Sequence, residues 1–298
     1  MRRSILADSA LVLVALVWGL NFVITKEALT KITPFMYLGI RFILAFLILI
    51  VIFHKNFTKM TKNDLKGGLG VGLVIFLGFI TQTIGLKYTT PSKSGFITGI
   101  YVVLVPFLAY FFTGQFPKIT QILSAIITFI GLGMVSIDES FTVNFGDVLT
   151  LAGALFFAMQ IVLTEHFVKR ADPINITIIQ TALTGILSLA LGLFMEPMPQ
   201  LIEKDVVYAI IFAAVVCTAG AFTVQNIAQK HTDSTHAAIL LCMESVSSGF
   251  FSFLLWNEVF TLRMLIGFGL ILFGVIASEL LPQTEKSKIS TKLNEIGY

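Results

Sequence analysis

Ten runs of predominantly apolar residues follow one another along the chain, separated by short polar connections. About 20 helical residues cross the roughly 30 Å hydrocarbon layer of a membrane, so each run predicts a transmembrane helix. The runs lie near residues 8–26, 34–53, 67–86, 92–112, 118–137, 146–165, 174–194, 206–228, 236–256 and 261–281. The pattern predicts an all-α integral membrane protein of ten transmembrane helices with no separate soluble domain.

Composition excludes a soluble protein of this length. The chain is 56% hydrophobic and 12% charged, with a mean hydropathy of +0.91, so it has too few charges to cover a surface in water. Arg2 and Arg3 precede the first apolar run as they would in a signal peptide, but no small-residue cleavage site follows before Lys26. We therefore predict that the first run remains a membrane span.

The charges of the connections predict an orientation. With the N-terminus inside, thirteen Lys and Arg residues fall on the cytoplasmic side and six on the outer side. The positive-inside rule then predicts an inner-membrane, multi-pass protein with both termini in the cytoplasm. The net charge of +3 reflects this asymmetry and requires no nucleic-acid partner.

The chain resembles itself in two halves. At a shift of 139 residues Asp8 coincides with Asp147, Thr25 with Thr164 and Pro34 with Pro173, and at a shift of 143 residues 82–89 match 225–232 with four identities in eight. We predict two repeats of five helices, 1–140 and 141–282, followed by a cytoplasmic tail, 283–298. An odd number of spans places the second repeat upside down in the membrane, an arrangement typical of secondary transporters with a site where the repeats meet.

Glu244 is the leading candidate for a functional residue. A charged group near a helix centre costs about 2.5–3.5 kcal/mol on insertion scales, so it is expected to face a cavity, a partner or a proton pathway. Ser247 and Ser248 follow on nearly the same helical face, and the repeat places Tyr101 at the equivalent position in the first half. The alternative is a structural Glu that only holds helices together.

Arg41 and several polar side chains form a second group of candidates. Arg41 either provides a fixed cation for a carboxylate or internal acid, or extends its stem to the outer headgroups. Trp18, Asn21 and Thr25 share one face of the first helix, and Gln160 with Thr164 repeats that stripe in the sixth. Gln82 and Gln225 occupy equivalent places in the third and eighth helices. These side chains either line a polar cavity or form hydrogen bonds between helices, worth about 0.6 kcal/mol each.

Several motifs together resemble the EamA-type branch of the drug/metabolite transporter superfamily. They are Trp18-Gly-Leu-Asn-Phe22, Pro34, Arg41-Phe42, Gly85-Leu-Lys-Tyr-Thr89 and the segment from Gly95 to Pro106. The resemblance implies two inverted repeats of five helices around a central cavity lined mainly by helices 1–4 and 6–9, with helices 5 and 10 at the periphery. The family often has Gly-Glu after the fourth helix, where this chain has Gly114-Gln115, so we assign Gln115 no function.

The resemblance implies a secondary transporter of a small polar or amphipathic metabolite. Amino acids are the leading class of substrate and export the favoured direction, with a coupling proton as an option and the oligomeric state open. The alternatives are a proton-coupled multidrug exporter and a receptor or scaffold that binds without transport. No enzyme is expected, and no metal or cofactor either, because the four histidines lack ligand spacing and no phosphate-binding glycine loop is present.

Overall fold

In the computed structural model the described part of the chain comprises residues 2–114, 116–136, 144–199, 201–259 and 261–280. All regular secondary structure in this part is helical, without strands. Helices α1, α2, α3, α5, α6, α7 and α10 are, in that order, Arg2–Ala28, Pro34–Ile52, Lys62–Tyr88, Ile119–Ser136, Phe145–Val168, Pro173–Met195 and Leu262–Leu280. Helix α4 consists of two segments, Pro91–Gly99 and Tyr101–Thr113, and α9 of two, Ser234–Leu241 and Met243–Trp256. Helix α8 consists of three segments, Lys204–Phe212, Ala213–Gly220 and Ala221–Ala228. A further turn of helix, His54–Phe57, follows α2.

The prediction of an all-α protein is confirmed for the described residues, and its long apolar helices are consistent with a membrane protein. Eight of the described helices, α1 to α4 and α6 to α9, are long and apolar enough to cross a membrane. The apolar segments of α5 and α10 are shorter, Ile119–Met134 and Leu262–Ala277. The ten spans and the inverted orientation stay predictions. So do the repeat bounds and the tail, which fall largely outside the described residues, as Gln115 does.

Local sequence signals set the helix starts. Proline opens α2, α4 and α7, a position where its missing N–H is not required. Reciprocal capping boxes open α3, through Thr61 and Asp64, and α6, through Asn144 and Asp147. In each box the side chain of the first residue accepts from the backbone N–H of the second, and the carboxylate of the second accepts from the backbone N–H of the first. These two hydrogen bonds fix the first turn of the helix.

Helices α4 and α9 are interrupted at corresponding places. The interruptions lie at Ile100 and Cys242, and both helices end at a residue of positive φ, 66° at Gly114 and 56° at Asn257. Pro106 lies inside the segment Tyr101–Thr113 of α4, and the interruption at Ile100 precedes it.

The first five helices pack extensively against the second five. Helix α3 contacts α6 and α7, α2 contacts α7, α1 contacts α9, and α5 contacts α10. Glycines allow the closest approaches: a methyl group at Gly72 would lie 2.9 Å from the backbone of Gln180, and one at Gly95 would lie 2.6 Å from the side chain of Ser248. The bundle core therefore lies between the two halves of the chain.

Candidate functional site

A cavity lies between the two halves. Its walls come from α1, α2, α3, α4, α6, α8 and α9, and α7 contributes none of the lining residues. Seven of the eight residues selected from the sequence line it: Trp18, Asn21, Arg41, Gln82, Tyr101, Gln160 and Glu244. The eighth, Gln225, lies behind the wall and donates from Nε2 to Gln160 Oε1 over 3.4 Å. A role of these residues in binding stays a prediction.

The space inside the cavity is small. The centres of water-sized molecules can occupy about 40 Å³, and one buried water needs about 10–15 Å³ on this measure. The cavity therefore holds about three waters. A larger occupant requires the lining helices to move apart.

Aromatic side chains form one wall. The ring centroids of Trp18 and Phe222 are 5.2 Å apart, and Phe79 lies 5.2 Å from Phe157 and 6.1 Å from Phe222. Trp18 Nε1 donates to the carbonyl of Cys217 over 2.8 Å, which fixes its indole ring. Sequence reasoning missed the three phenylalanines. Because the chain contains 28 Phe residues, no pattern distinguishes the few that face the cavity.

Glu244 lies in the first turn after the interruption of α9 and is 7% exposed. Tyr101 lines the same cavity, and the Cys242 thiol donates to the carbonyl of Gly99 over 3.4 Å. The hydroxyl oxygen of Tyr101 is buried and makes no hydrogen bond within the described part of the chain. The two repeat-related residues thus meet in one cavity, with polar groups available to an occupant.

The serines that follow Glu244 do not belong to the cavity, which corrects the interpretation of a single polar face. Ser245 donates to the carbonyl of Gly95 over 2.8 Å, Ser247 to that of Leu16 over 2.7 Å, and Ser248 to that of Pro91 over 2.8 Å. These bonds connect α9 to α1 and α4. They are structural contacts between helices.

Arg41 does not extend to the membrane surface. It is 1% exposed, and its Nε donates to Thr218 Oγ1 over 2.8 Å. Thr218 lies in the π-helical segment Ala213–Gly220 and donates its own proton to the carbonyl of Ala213 over 2.8 Å. The wider π turn therefore places an acceptor opposite the guanidinium.

Some amide and hydroxyl groups form hydrogen bonds with other side chains, and others remain free to bind an occupant of the cavity. Gln82 Nε2 donates to Thr98 Oγ1 over 2.8 Å, and Gln160 Nε2 donates to Thr164 Oγ1 over 2.9 Å. Thr25 and Tyr37 share a hydrogen bond of 3.0 Å. The Oδ1 atom of Asn21 is buried without a partner among the described residues. Asn21 is therefore the amide best placed to receive an occupant.

Polar side-chain pairs at positions related by the repeat connect the two halves at both ends of the bundle. At one end Lys93 Nζ lies 2.8 Å from Asp147 Oδ2, and Thr89 Oγ1 donates to Asp147 Oδ1 over 2.8 Å. At the other end His236 Nε2 lies 3.6 Å from Asp8 Oδ1. Each pair connects the two halves, so it stabilises a conformation in which they are close together at that end.

A further contact joins the α1–α2 connection to the start of α8. Lys31, in the connection between α1 and α2, donates to Asp205 and to Glu203, the latter over 2.9 Å. These two carboxylates raise the pKa of the Lys31 ammonium above its ordinary value. All three side chains are well exposed, so the contact contributes little to stability.

The described residues include no group of three His, Cys, Asp or Glu side chains placed to hold a metal ion. Cys217 and Cys242 are free and buried. The groups that remain available in the cavity are a carboxylate, a guanidinium, amides and a phenol.

Comparisons with known proteins identify the family of the chain and support its fold. The model of the EamA-like transporter family matches residues 5–137 and again residues 144–279. An uncharacterized transporter of Archaeoglobus fulgidus is 34% identical over 275 residues, covering 92% of this chain and 86% of that protein. The uncharacterized transporter YoaV of Bacillus subtilis is 22% identical, covering 88% and 92%. One protein crystal structure has a TM-score of 0.74 at 17% identity, covering 92% of this chain and 97% of that one, and supports the fold alone.

Proposed function

Because the chain belongs to the EamA-like transporter family, we propose that it is a secondary transporter of a small polar or amphipathic metabolite. Amino acids are the leading class of substrate, and export is the proposed direction. Transport proceeds by alternating access: the cavity opens first to one side of the membrane and then to the other.

The central cavity is the observation that carries this proposal. Helices from both halves line it, and its wall combines buried ionisable and amide groups with an aromatic surface. Charged groups at membrane depth are rare and mark substrate or ion pathways. Because little room is left inside, we interpret the structure as a closed conformation of the cycle.

The proposed topology is ten membrane helices in two inverted repeats, in the inner membrane, with both termini in the cytoplasm. It is supported by the interruptions at Ile100 and Cys242, which fall at equivalent places, and by the two successive family matches. Under this topology α5 and α10, which pack against each other, are shorter spans at the periphery.

In the proposed mechanism Glu244 couples transport to a proton. Its carboxylate faces the cavity beside Tyr101, so a proton and the ammonium group of a substrate compete for one acceptor. Substrate enters when the carboxylate is free and leaves when a proton replaces it. A purely structural Glu has no such competition.

Counterflow in proteoliposomes tests the proposal. Vesicles containing the purified full-length protein are loaded with unlabelled solute, and uptake of the labelled solute is followed for amino acids, nucleosides, sugars and cationic dyes. We expect transient, saturable accumulation of at least one amino acid that is absent from protein-free vesicles. Accumulation of dyes alone would identify a multidrug exporter, and binding without flux of any solute would identify a receptor or scaffold.

A further inference from the structure

We propose that Arg41 is an anion anchor: the substrate carries a carboxylate that binds the guanidinium, and an apolar body that packs on the aromatic wall of the cavity. This proposal specifies the chemistry of the substrate, and the role of Arg41 in transport rests on the proposed function. Binding of the anion itself does not depend on transport.

The buried charge is the first step. Arg41 is 1% exposed, and a guanidinium stays protonated in proteins. Within the part of the chain that the structure describes, no carboxylate lies within 4.0 Å of its nitrogens, the distance that defines the ion pairs found elsewhere in the bundle. A buried charge without a counter-ion is unfavourable, so an anion that enters the cavity gains a favourable partner in Arg41.

The free edge of the guanidinium is the second step. Thr218 accepts from Nε, and since the Thr218 proton is committed to the carbonyl of Ala213, its oxygen is fixed as an acceptor. The rings of Phe42 and Phe79 lie 5.3 and 5.1 Å from Arg41 Cζ and hold the group by cation–π attraction. Nη2 is buried and makes no hydrogen bond to any described residue.

Neither water nor Glu244 replaces the anion. Water in the cavity can accept a hydrogen bond from Nη2 but leaves the charge uncompensated. Glu244 lines the same cavity, but its carboxylate forms no ion pair with Arg41 within 4.0 Å. A planar carboxylate fits the fork of donors that a guanidinium presents.

The aromatic wall beside Arg41 favours a substrate whose carboxylate is joined to an apolar group. Phe79 contacts the guanidinium and also packs against Phe157 and Phe222. An apolar body placed on these rings lies next to the anchored carboxylate. A branched alkyl group provides such a body, and it enters when the lining helices move apart.

Fluorescence of Trp18 provides a direct test, because Trp18 lines the cavity and the chain has only one other tryptophan, Trp256. In a Trp256→Phe background the emission of Trp18 reports binding to the purified full-length protein. The probes are two matched pairs, 3-methylbutanoate with 3-methylbutanamide, and leucine with leucinamide. In at least one pair we expect the acid to bind about 10- to 100-fold more tightly than the amide, the range for a hydrogen bond to a charged group.

Two variants separate an anchor from a structural residue. Arg41→Gln removes the charge and should abolish the preference for the acid, whereas Arg41→Lys keeps a point charge and should retain part of it. Arg263→Gln removes the same charge from a residue outside the cavity lining and should bind like the parent. Thermal unfolding of each variant shows whether it is folded. If Arg41→Gln is not folded, the binding preference of Arg41→Lys decides between an anchor and a structural residue.

The anchor is overturned if neither acid gives a saturable change, if acids and amides bind equally, or if a folded Arg41→Gln variant keeps the preference. If the acid binds through Arg41 but counterflow shows no flux, the anchor is supported and the transporter proposal fails. The reverse result, flux without preference for a carboxylate, removes the anchor and leaves the transporter.

Discussion

Asp147→Asn should open one end of the bundle. Asp147 begins α6 in the second half, and its carboxylate binds Lys93 Nζ at 2.8 Å and the Thr89 hydroxyl at 2.8 Å, both at the junction of α3 and α4 in the first half. Asparagine has nearly the same shape and can still accept from Thr89. Its NH2 group replaces Oδ2, which accepts from Lys93 Nζ and also from the Asn144 N–H of the capping box, so the substitution removes the charge pair and one capping hydrogen bond with little change in volume.

The size of the effect follows from the burial of the pair. Asp147 is 5% exposed and the Lys93 side chain 20%. Removing one partner of a buried pair costs about 2–5 kcal/mol, and Lys93 can regain part of this from water, so we expect about 2 kcal/mol. If the pair exists only when this end is closed, the ratio of open to closed protein rises about 30-fold.

Modification of a cavity cysteine measures this ratio. Thr98 lines the cavity, so Thr98→Cys is placed in a background in which Cys217 and Cys242 are replaced by alanine. A membrane-impermeant maleimide is added on the side of the α3–α4 junction, the outer side in the proposed topology. The labelling rate should rise with the open fraction, by about 30-fold over the parent.

Asp8→Asn is the matched control, because Asp8 occupies the repeat-related position at the opposite end and pairs with His236 over 3.6 Å. It should leave labelling from the outer side at or below the parent rate. Equal labelling of Asp147→Asn and the parent would show that the pair does not hold the end closed. An equal rise in both variants would indicate general loosening of the bundle.

Three further outcomes are expected. Glu244→Gln should flatten the pH dependence of transport; a variant that follows the parent's pH curve at near-parent rate would make Glu244 structural. Gly19→Ala should destabilise the bundle by about 1–3 kcal/mol, since the methyl would lie 2.6 Å from the backbone of α9, while Gly133→Ala, with nothing within 4 Å, should not; equal thermal unfolding of the two would contradict this packing. Single cysteines at Lys59 and Lys204 should react only from the cytoplasm and only from outside, respectively, and labelling of both from one side would overturn the ten-helix topology.

The helices were predictable from the sequence because hydrophobic length and local caps determine them. Proline and the capping boxes lie within a few residues of the boundaries they set, so no tertiary information is needed. The interruptions at Ile100 and Cys242 were not predicted. Their backbone conformations are within the ordinary helical region, and no glycine or proline occupies either position.

The candidate site was predictable only as far as periodicity shows which residues share a face. Periodicity places Glu244, Ser247 and Ser248 together, but the serine hydroxyls reach carbonyls of α1 and α4 while the carboxylate reaches the cavity. The difference depends on whether a neighbouring helix presents a free carbonyl within hydrogen-bond distance, which one helix cannot reveal. Whether the Arg41 side chain stays inside the bundle or extends to the headgroups depends in the same way on a partner from another helix. That partner is Thr218, 177 residues further along the chain. A polar residue in a membrane helix is therefore best tested by counting its partners: one whose bonds are complete is part of the framework, and one whose polar edge stays free is a candidate for binding.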